Sequence, residues 1–166
     1  MKDISDSITQ DRLLDLTRTL VEIPSVTGRE QDLSDWTFDY LKSLGLNHVQ
    51  RLPVEDAGDT IVGCLESANE GPGMVLLYHL DTFDVCDGWD TDPFKTHLEG
   101  NKLYGLGIHD MKGGGACILG ALEAILESKV RLGGPLYIVA TTDEENWSRG
   151  AHEVIKSGLL QNCSCG

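Results

Sequence analysis

The chain has 166 residues and a formal charge of −14, with 27 acidic against 13 basic side chains. That balance argues against nucleic acid or an anionic membrane as partner, because both reward clustered Lys and Arg. The length suits one domain with a real core; no apolar run is long enough to span a membrane, and the polar start MKDISDSITQDR lacks the core of a signal peptide.

Leu13, Leu16, Leu20 and Ile23 recur at helical spacing, and Pro24 ends that helix. Thr27 and Glu30 then form a capping-box pattern ahead of Leu33, Trp36, Tyr40, Leu41 and Leu44, with Gly45 as the stop. Short β-like runs follow at Val49 to Leu52 and Thr60 to Leu65. A turn through Asn69 to Gly73 leads into Met74 to Leu80, an almost unbroken apolar run that reads as a strand buried on both faces. A hairpin is expected to turn at Glu99-Gly100-Asn101. An apolar helix is expected from about Gly114 to Ser128, through Ile118, Leu122, Ile125 and Leu126. After the break at Gly133-Gly134-Pro135, Leu136 to Ala140 reads as a second buried strand, and Ser148 as the cap of a last helix ending near Gly158. The five cysteines (64, 86, 117, 163 and 165) are scattered and odd in number, which suits reduced thiols in a cytoplasm rather than a disulfide framework. Cys163 and Cys165 have no second pair with which to hold zinc, and are expected in a loose tail. Helices alternating with buried strands predict an α/β fold: a three-layer α/β/α sandwich with a mostly parallel central sheet.

Three acid-bearing strand ends carry the chemistry. In Met74 to Leu80 side chains alternate, so His79 and Asp81 point the same way at the C-terminal end, where open α/β sheets place ligands. Imidazole is the commonest nitrogen ligand of zinc, and a nearby carboxylate fixes its tautomer. By itself, a His-x-Asp reads first as a strand-end histidine with an aspartate partner. Asp110, in LYGLGIHDMKGGG, follows an apolar strand and precedes Gly113-Gly114-Gly115, more glycine than a turn requires. Those glycines let backbone approach closely and open a helix, and a carboxylate there has two oxygens with which to serve two ions. Asp143-Glu144-Glu145 closes the second buried strand. Adjacent acids repel, a cation removes that penalty, and one can ligate while its neighbour contacts a water. Taken singly, such a triplet also reads as a solvated acidic loop.

Together and in order, these elements resemble the co-catalytic metallopeptidase and deacylase family that includes acetylornithine deacetylase, succinyl-diaminopimelate desuccinylase, aminoacylase and bacterial glutamate carboxypeptidase. The resemblance runs from Val21-Glu22-Ile23-Pro24-Ser25 through His79-Leu80-Asp81, Gly88-Trp89, Asp92-Pro93-Phe94 and Gly107 to Gly114, to Glu144-Glu145. It implies that His79 is a ligand of one zinc with Asp81 as its partner, that Asp110 bridges two metals, that Glu145 ligates the second, and that Glu144 is the general base. Asp81 and Glu144 are thus the catalytic pair, and the cofactor is two Zn2+, with Co2+ or Mn2+ equally suited to such ligands. The implied reaction is hydrolysis of an amide bond in an N-acyl amino acid or short peptide by a metal-bridging water. A cis peptide after Asp110 is implied as well.

Thr82-Phe83-Asp84-Val85 stands where the family has Val-Pro, and Asn146-Trp147-Ser148-Arg149 replaces smaller, glycine-containing sequence. The family pattern also requires one more acidic ligand shortly after the glutamate pair and a histidine far downstream, and the residues after Glu145 supply neither. Residues 1–166 are therefore expected to be the N-terminal portion of a catalytic domain, its sheet incomplete at the C-terminus. The lid or dimerisation domain and the C-terminal half are absent, so a homodimer is expected only of a full-length protein. The competing expectation is an inactive metal-binding or interaction fragment of the same fold. A nucleotide site at Gly105 to Gly113 is disfavoured, because position 110 is Asp and no Ser or Thr follows Lys112. His48, His97 and His152 read as surface residues, and His109 as lining the site.

Overall fold

The computed structural model describes residues 4–46 and 48–165. Four helices, α1 (Gln10–Glu22), α2 (Gln31–Ser43), α3 (Gly113–Ser128) and α4 (Arg149–Ser157), accompany strands β1 (His48–Leu52), β2 (Thr60–Leu65), β3 (Gly73–His79), β4 (His97–Glu99), β5 (Lys102–Tyr104), β6 (Leu136–Thr141) and β7 (Cys163–Cys165). Five strands form one sheet in the order β1-β2-β6-β3-β7. The ladders of β3 with β6 and β7 are parallel, and those of β2 with β1 and β6 are antiparallel. The α/β sandwich is thus as expected, and its sheet is mixed, parallel in the half that carries the site.

The layers follow from alternation along the strands. Leu136, Ile138 and Ala140 of β6, with Ile61 and Tyr78, pack against Leu16 and Leu20 of α1, Leu33 and Leu41 of α2, and Leu119 and Leu122 of α3. Their alternates Val62, Val75 and Val139 face the other way, onto Val154 of α4. The glycine run before α3 lets the helix close on the sheet: a Cβ at Gly115 would stand 2.7 Å from the Tyr78 ring. The β4–β5 hairpin turns through Gly100 in the left-handed region, as expected.

Three local expectations are corrected. The Thr27–Glu30 capping box does not form. Helix α2 begins at Gln31 with Glu30 at the N-cap, and that side chain makes no capping bond. Ser148 occupies the N-cap position of α4 without capping it; its Oγ donates to the Glu144 carbonyl instead. Residues 163–165 are not a loose tail: Cys163 pairs with Gly73 and Cys165 with Met74, adding a short parallel strand at the edge of β3. Among the described residues no helix is long and apolar enough to cross a membrane.

Candidate metal centre

Register brings the acid-bearing ends together. In the parallel β3–β6 ladder His79 lies opposite Thr141, and Leu80 N–H donates to the Thr141 carbonyl at 2.8 Å. The residues that follow each strand therefore emerge side by side. Residues 25–27 run along the continuation of β3, with a bridge between Val26 and Thr82. The segment bearing Asp110 arrives from the β5–α3 connection. Gly107 takes φ +76° there, where a Cβ would stand 2.4 Å from Thr82 Cγ2. The peptide Asp110–Met111 is cis.

Ligand atoms of His79, Asp110 and Glu145 lie within 4.8 Å of one another. His79 is buried and held from both sides. Its Nδ1 stands 3.0 Å from the Asp81 carbonyl oxygen and 3.5 Å from Asp81 Oδ1. Its Nε2 is 3.1 Å from Asp110 Oδ1 and 3.8 Å from Glu144 Oε2. Burial disfavours charge on the ring, but the hydrogen bonds to Asp81 and Asp110 and the nearby carboxylate charges outweigh it, so the pKa is pushed up to about 9. Asp110 and Glu144, by contrast, expose 69% and 47% of their side chains, open to a substrate.

Asp81 has no exposure at all. Its Oδ1 accepts from Glu144 N–H at 3.1 Å, and its Oδ2 accepts from Glu145 N–H at 3.0 Å and from Thr27 Oγ1 at 3.1 Å. Burial opposes its charge, but His79 and the two N–H groups hold the carboxyl below the usual range. Glu145 shifts the other way. Burial raises its pKa, and the charges of Asp110, Glu144 and Asp81 add to the rise while His79 works against it. One imidazole and two carboxylates converging among further acids is a donor set that suits a divalent cation such as zinc. The imidazole is already oriented through Nδ1, leaving Nε2 toward the carboxylates.

The third acid of the triplet is turned away. Asp143 adopts φ +61°, and its buried carboxylate pairs with Arg149 through Nε at 2.8 Å and a terminal N–H at 3.0 Å. Arg149 also donates to the Glu55 carbonyl at 2.6 Å. His109, exposed, lines a cavity of about 240 Å³ with Phe83, Trp89, Asp110 and Glu145. His48, His97 and His152 lie exposed on the surface.

Three supporting residues are not recognisable from spacing. Lys112, 2% exposed, donates through Nζ to the carbonyls of Leu20 at 2.7 Å and Ile23 at 3.2 Å. It thereby ties the Asp110 segment to the end of α1, where carbonyls lack helical partners. Burial lowers its pKa to about 7 against the favourable charge of Asp81. Thr27 and Glu30 are the others; their helix-cap pattern is a signal of importance attached to the wrong role.

Residues 75–165, more than half of the chain, match the sequence model of peptidase family M20/M25/M40. Several solved structures share the fold. Human carnosine dipeptidase 1 superposes with a TM-score of 0.78 and 23% identity over 90% of this chain. The dipeptidase Dug1p of Saccharomyces cerevisiae superposes with a TM-score of 0.81 and 18% identity over 97%. A tripeptidase of Staphylococcus aureus superposes with a TM-score of 0.74 and 26% identity over 92%. The chain spans 35%, 38% and 42% of those three proteins, respectively. The matched segment runs from β3 into β7 and includes His79, Asp110 and both glutamates, and on that match the chain belongs to peptidase family M20/M25/M40.

Proposed function

We propose that this chain is the N-terminal portion of the catalytic domain of a metal-dependent hydrolase that cleaves an amide bond in short peptides or N-acyl amino acids. The observation that carries the reading is the convergence of His79, Asp110 and Glu145 within 4.8 Å, with Glu144 beside them and Asp81 buried behind. In this reading His79 and Asp110 would hold one zinc, Asp110 and Glu145 would hold a second, and cobalt or manganese would suit the same donors. When bound, the metal polarises the scissile carbonyl and makes a water acidic enough to attack at neutral pH.

The remaining work falls to side chains. Asp81 fixes the His79 ring and, through two N–H groups, the direction of the glutamate pair. Glu144, half-exposed and 3.8 Å from His79 Nε2, takes the proton of the attacking water and returns it to the departing amine. The cavity lined by Phe83, Trp89 and His109 borders the ligands and would receive the substrate chain next to the scissile bond.

A second reading applies to the 166 residues by themselves. Sharing Asp110 leaves each ion two protein ligands, whereas catalytic zinc sites typically keep three plus water. The isolated chain is then a weak single-metal binder without turnover, and the full protein supplies the remaining ligands. Zinc titration and hydrolysis of dipeptides and N-acetyl amino acids, on the full protein and on residues 1–166, test both readings. Two zincs and turnover are expected of the former, at most one weak zinc and no turnover of the latter. Tight binding of two zincs with steady turnover by residues 1–166 overturns the fragment reading, and a full protein that hydrolyses without any metal overturns the first.

A further inference from the structure

The acidic turn after β6 presents three successive amide N–H groups, and each is held by a carboxylate distant in sequence and without solvent exposure. Asp143 N–H donates to Glu30 Oε1 at 3.1 Å. Glu144 N–H donates to Asp81 Oδ1 at 3.1 Å and Glu145 N–H to Asp81 Oδ2 at 3.0 Å. Two buried carboxylates thus grip the backbone of a turn whose own side chains are acidic. Resting on the metal-hydrolase reading above, we infer that Glu30, assisted by Thr27, is a positioning residue for that reaction. Its carboxylate anchors the backbone of Asp143, so that Glu144 and Glu145 project into the site.

Glu30 is not occupied as a helix cap, since it makes no capping bond to α2. Its second oxygen accepts from Gly58 N–H at 3.1 Å, and Gly58 packs so tightly under α2 that a Cβ there would stand 2.7 Å from the Glu30 carbonyl carbon. The Gly58 carbonyl in turn accepts from Thr142 Oγ1 at 2.7 Å, immediately before the turn. The anchor is therefore closed on both sides: α2 start, Gly58 loop and the end of β6. Thr27, the other member of the unformed capping box, holds Asp81 Oδ2 at 3.1 Å, the same oxygen that receives Glu145 N–H.

Both Glu30 oxygens face N–H donors, so only a carboxylate satisfies the two together. Glutamine keeps the shape and turns its NH2 group onto one of those donors. A displacement of the order of an ångström at the glutamate pair costs roughly 100-fold in rate, and losing support behind metal ligands typically costs 10–100-fold in metal affinity. In the full protein, Glu30→Gln should lower kcat roughly 100-fold with KM little changed and weaken Co2+ binding, read from its visible absorption bands, by roughly tenfold. Leu122→Ala in the core of α3, assayed well below its melting temperature, serves as the control for stability alone and should lower Tm while keeping kcat and Co2+ affinity.

Wild-type kcat and Co2+ affinity in Glu30→Gln, or losses no greater than those of Leu122→Ala, overturn the inference alone. Wild-type protein that binds no Co2+ and hydrolyses nothing overturns the metal-hydrolase reading and this inference with it. If Glu30→Gln does not fold, Thr27→Val decides. It removes the hydroxyl that Asp81 and the Thr82 carbonyl share and should weaken Co2+ binding by roughly tenfold with Tm lowered no more than in Leu122→Ala; unaltered Co2+ affinity then overturns the inference.

Discussion

Two clusters of ionisable side chains lie at different places on this molecule and solve the problem of acidic charge in opposite ways. On the helical layer, Glu123 of α3 meets Arg12 of α1 in a two-pronged pair, at 2.9 Å to Nε and 2.6 Å to a terminal N–H. Tyr40 of α2 completes the set by hydrogen bonding to Glu123 and stacking on Trp36. At the sheet end, Asp81 is held by His79, two backbone N–H groups and a threonine, while Asp110, Glu144 and Glu145 face one another around that single imidazole. A cation built into the chain neutralises a carboxylate permanently and leaves it inert. Amide N–H groups stabilise negative charge without consuming it, which leaves a site able to take a metal ion and a proton. The difference separates a structural ion pair from a reactive one.

The sharpest break in that comparison should come from the glutamate pair. Glu144→Gln in the full protein should leave metal content intact and lower kcat by roughly 10²–10⁴-fold, the usual contribution of a general base. Glu145→Gln should lower metal occupancy as well, measured by atomic emission on dialysed protein. Equal metal loss in both variants would reject the assignment of roles.

Asp81 tests how much of the site's order depends on the acceptor it offers to the N–H groups of the turn. Asp81→Asn keeps the volume but offers one acceptor oxygen where the carboxylate serves Glu144 N–H, Glu145 N–H and Thr27. Metal affinity should fall 10–100-fold, as for other partners behind metal ligands; isothermal titration with zinc reads it directly. Unchanged affinity would mean that the turn is held by Glu30 and Arg149 without Asp81.

How much of this was legible beforehand depends on whether the signal is local. The ends of β3 and β6 stand out because both strands read as apolar runs closed by acids, although β3 is not buried on both faces as expected: Met74 and Leu77 are exposed. Asp110 stands out because three glycines follow it, and the Gly115–Tyr78 approach explains that glycine. The mixed sheet does not stand out: nothing in Val49 to Leu52 or Thr60 to Leu65 states that those strands pair antiparallel with their neighbours. Nor could spacing sort Asp143 from Glu144 and Glu145. That sorting comes from a left-handed φ at Asp143 and from Arg149 reaching back across the turn. Thr27 and Glu30 fit a helix-start pattern because Thr-x-x-Glu has the same spacing whether its partners are local N–H groups or a turn more than a hundred residues away. The short β7 is invisible because its few polar and small residues carry no period, and only the exposed edge of β3 gives it a place.

Arg149 sharpens the comparison within the site itself, since Asp143 is the acid of the turn that pairs with an arginine. Hydrogen bonds from Arg149, with burial opposing, hold its carboxyl below the usual range. Arg149→Ala should lower the urea midpoint by more than Arg12→Ala does, because the Asp143 side chain has no exposure whereas Glu123 keeps 23%. Equal losses would show that Arg149 N–H and Asn146 suffice to hold Asp143.

The smallest effect belongs to the helical cluster, and its pH dependence identifies it. Arg12 exposes 44% of its side chain and Glu123 23%, so solvent screens the pair and it contributes about 0.5–1 kcal/mol, the upper part of the range for surface ion pairs. The hydrogen bond from Arg12 lowers the Glu123 pKa, with burial opposing and Tyr40 assisting. A carboxyl whose folded pKa is depressed adds stability that is fully present above its unfolded value, near 4.3, and is lost as pH falls through the folded value. The stability difference between wild type and Arg12→Ala, from urea unfolding, should therefore be constant from about pH 8 to pH 5 and shrink below about pH 4. It should also shrink in 1 M salt, where the screening length drops to about 3 Å. A difference that persists at low pH and high salt would mean that Arg12 acts by packing its stem against Tyr40, and the charged contrast between the two clusters would lose its first term.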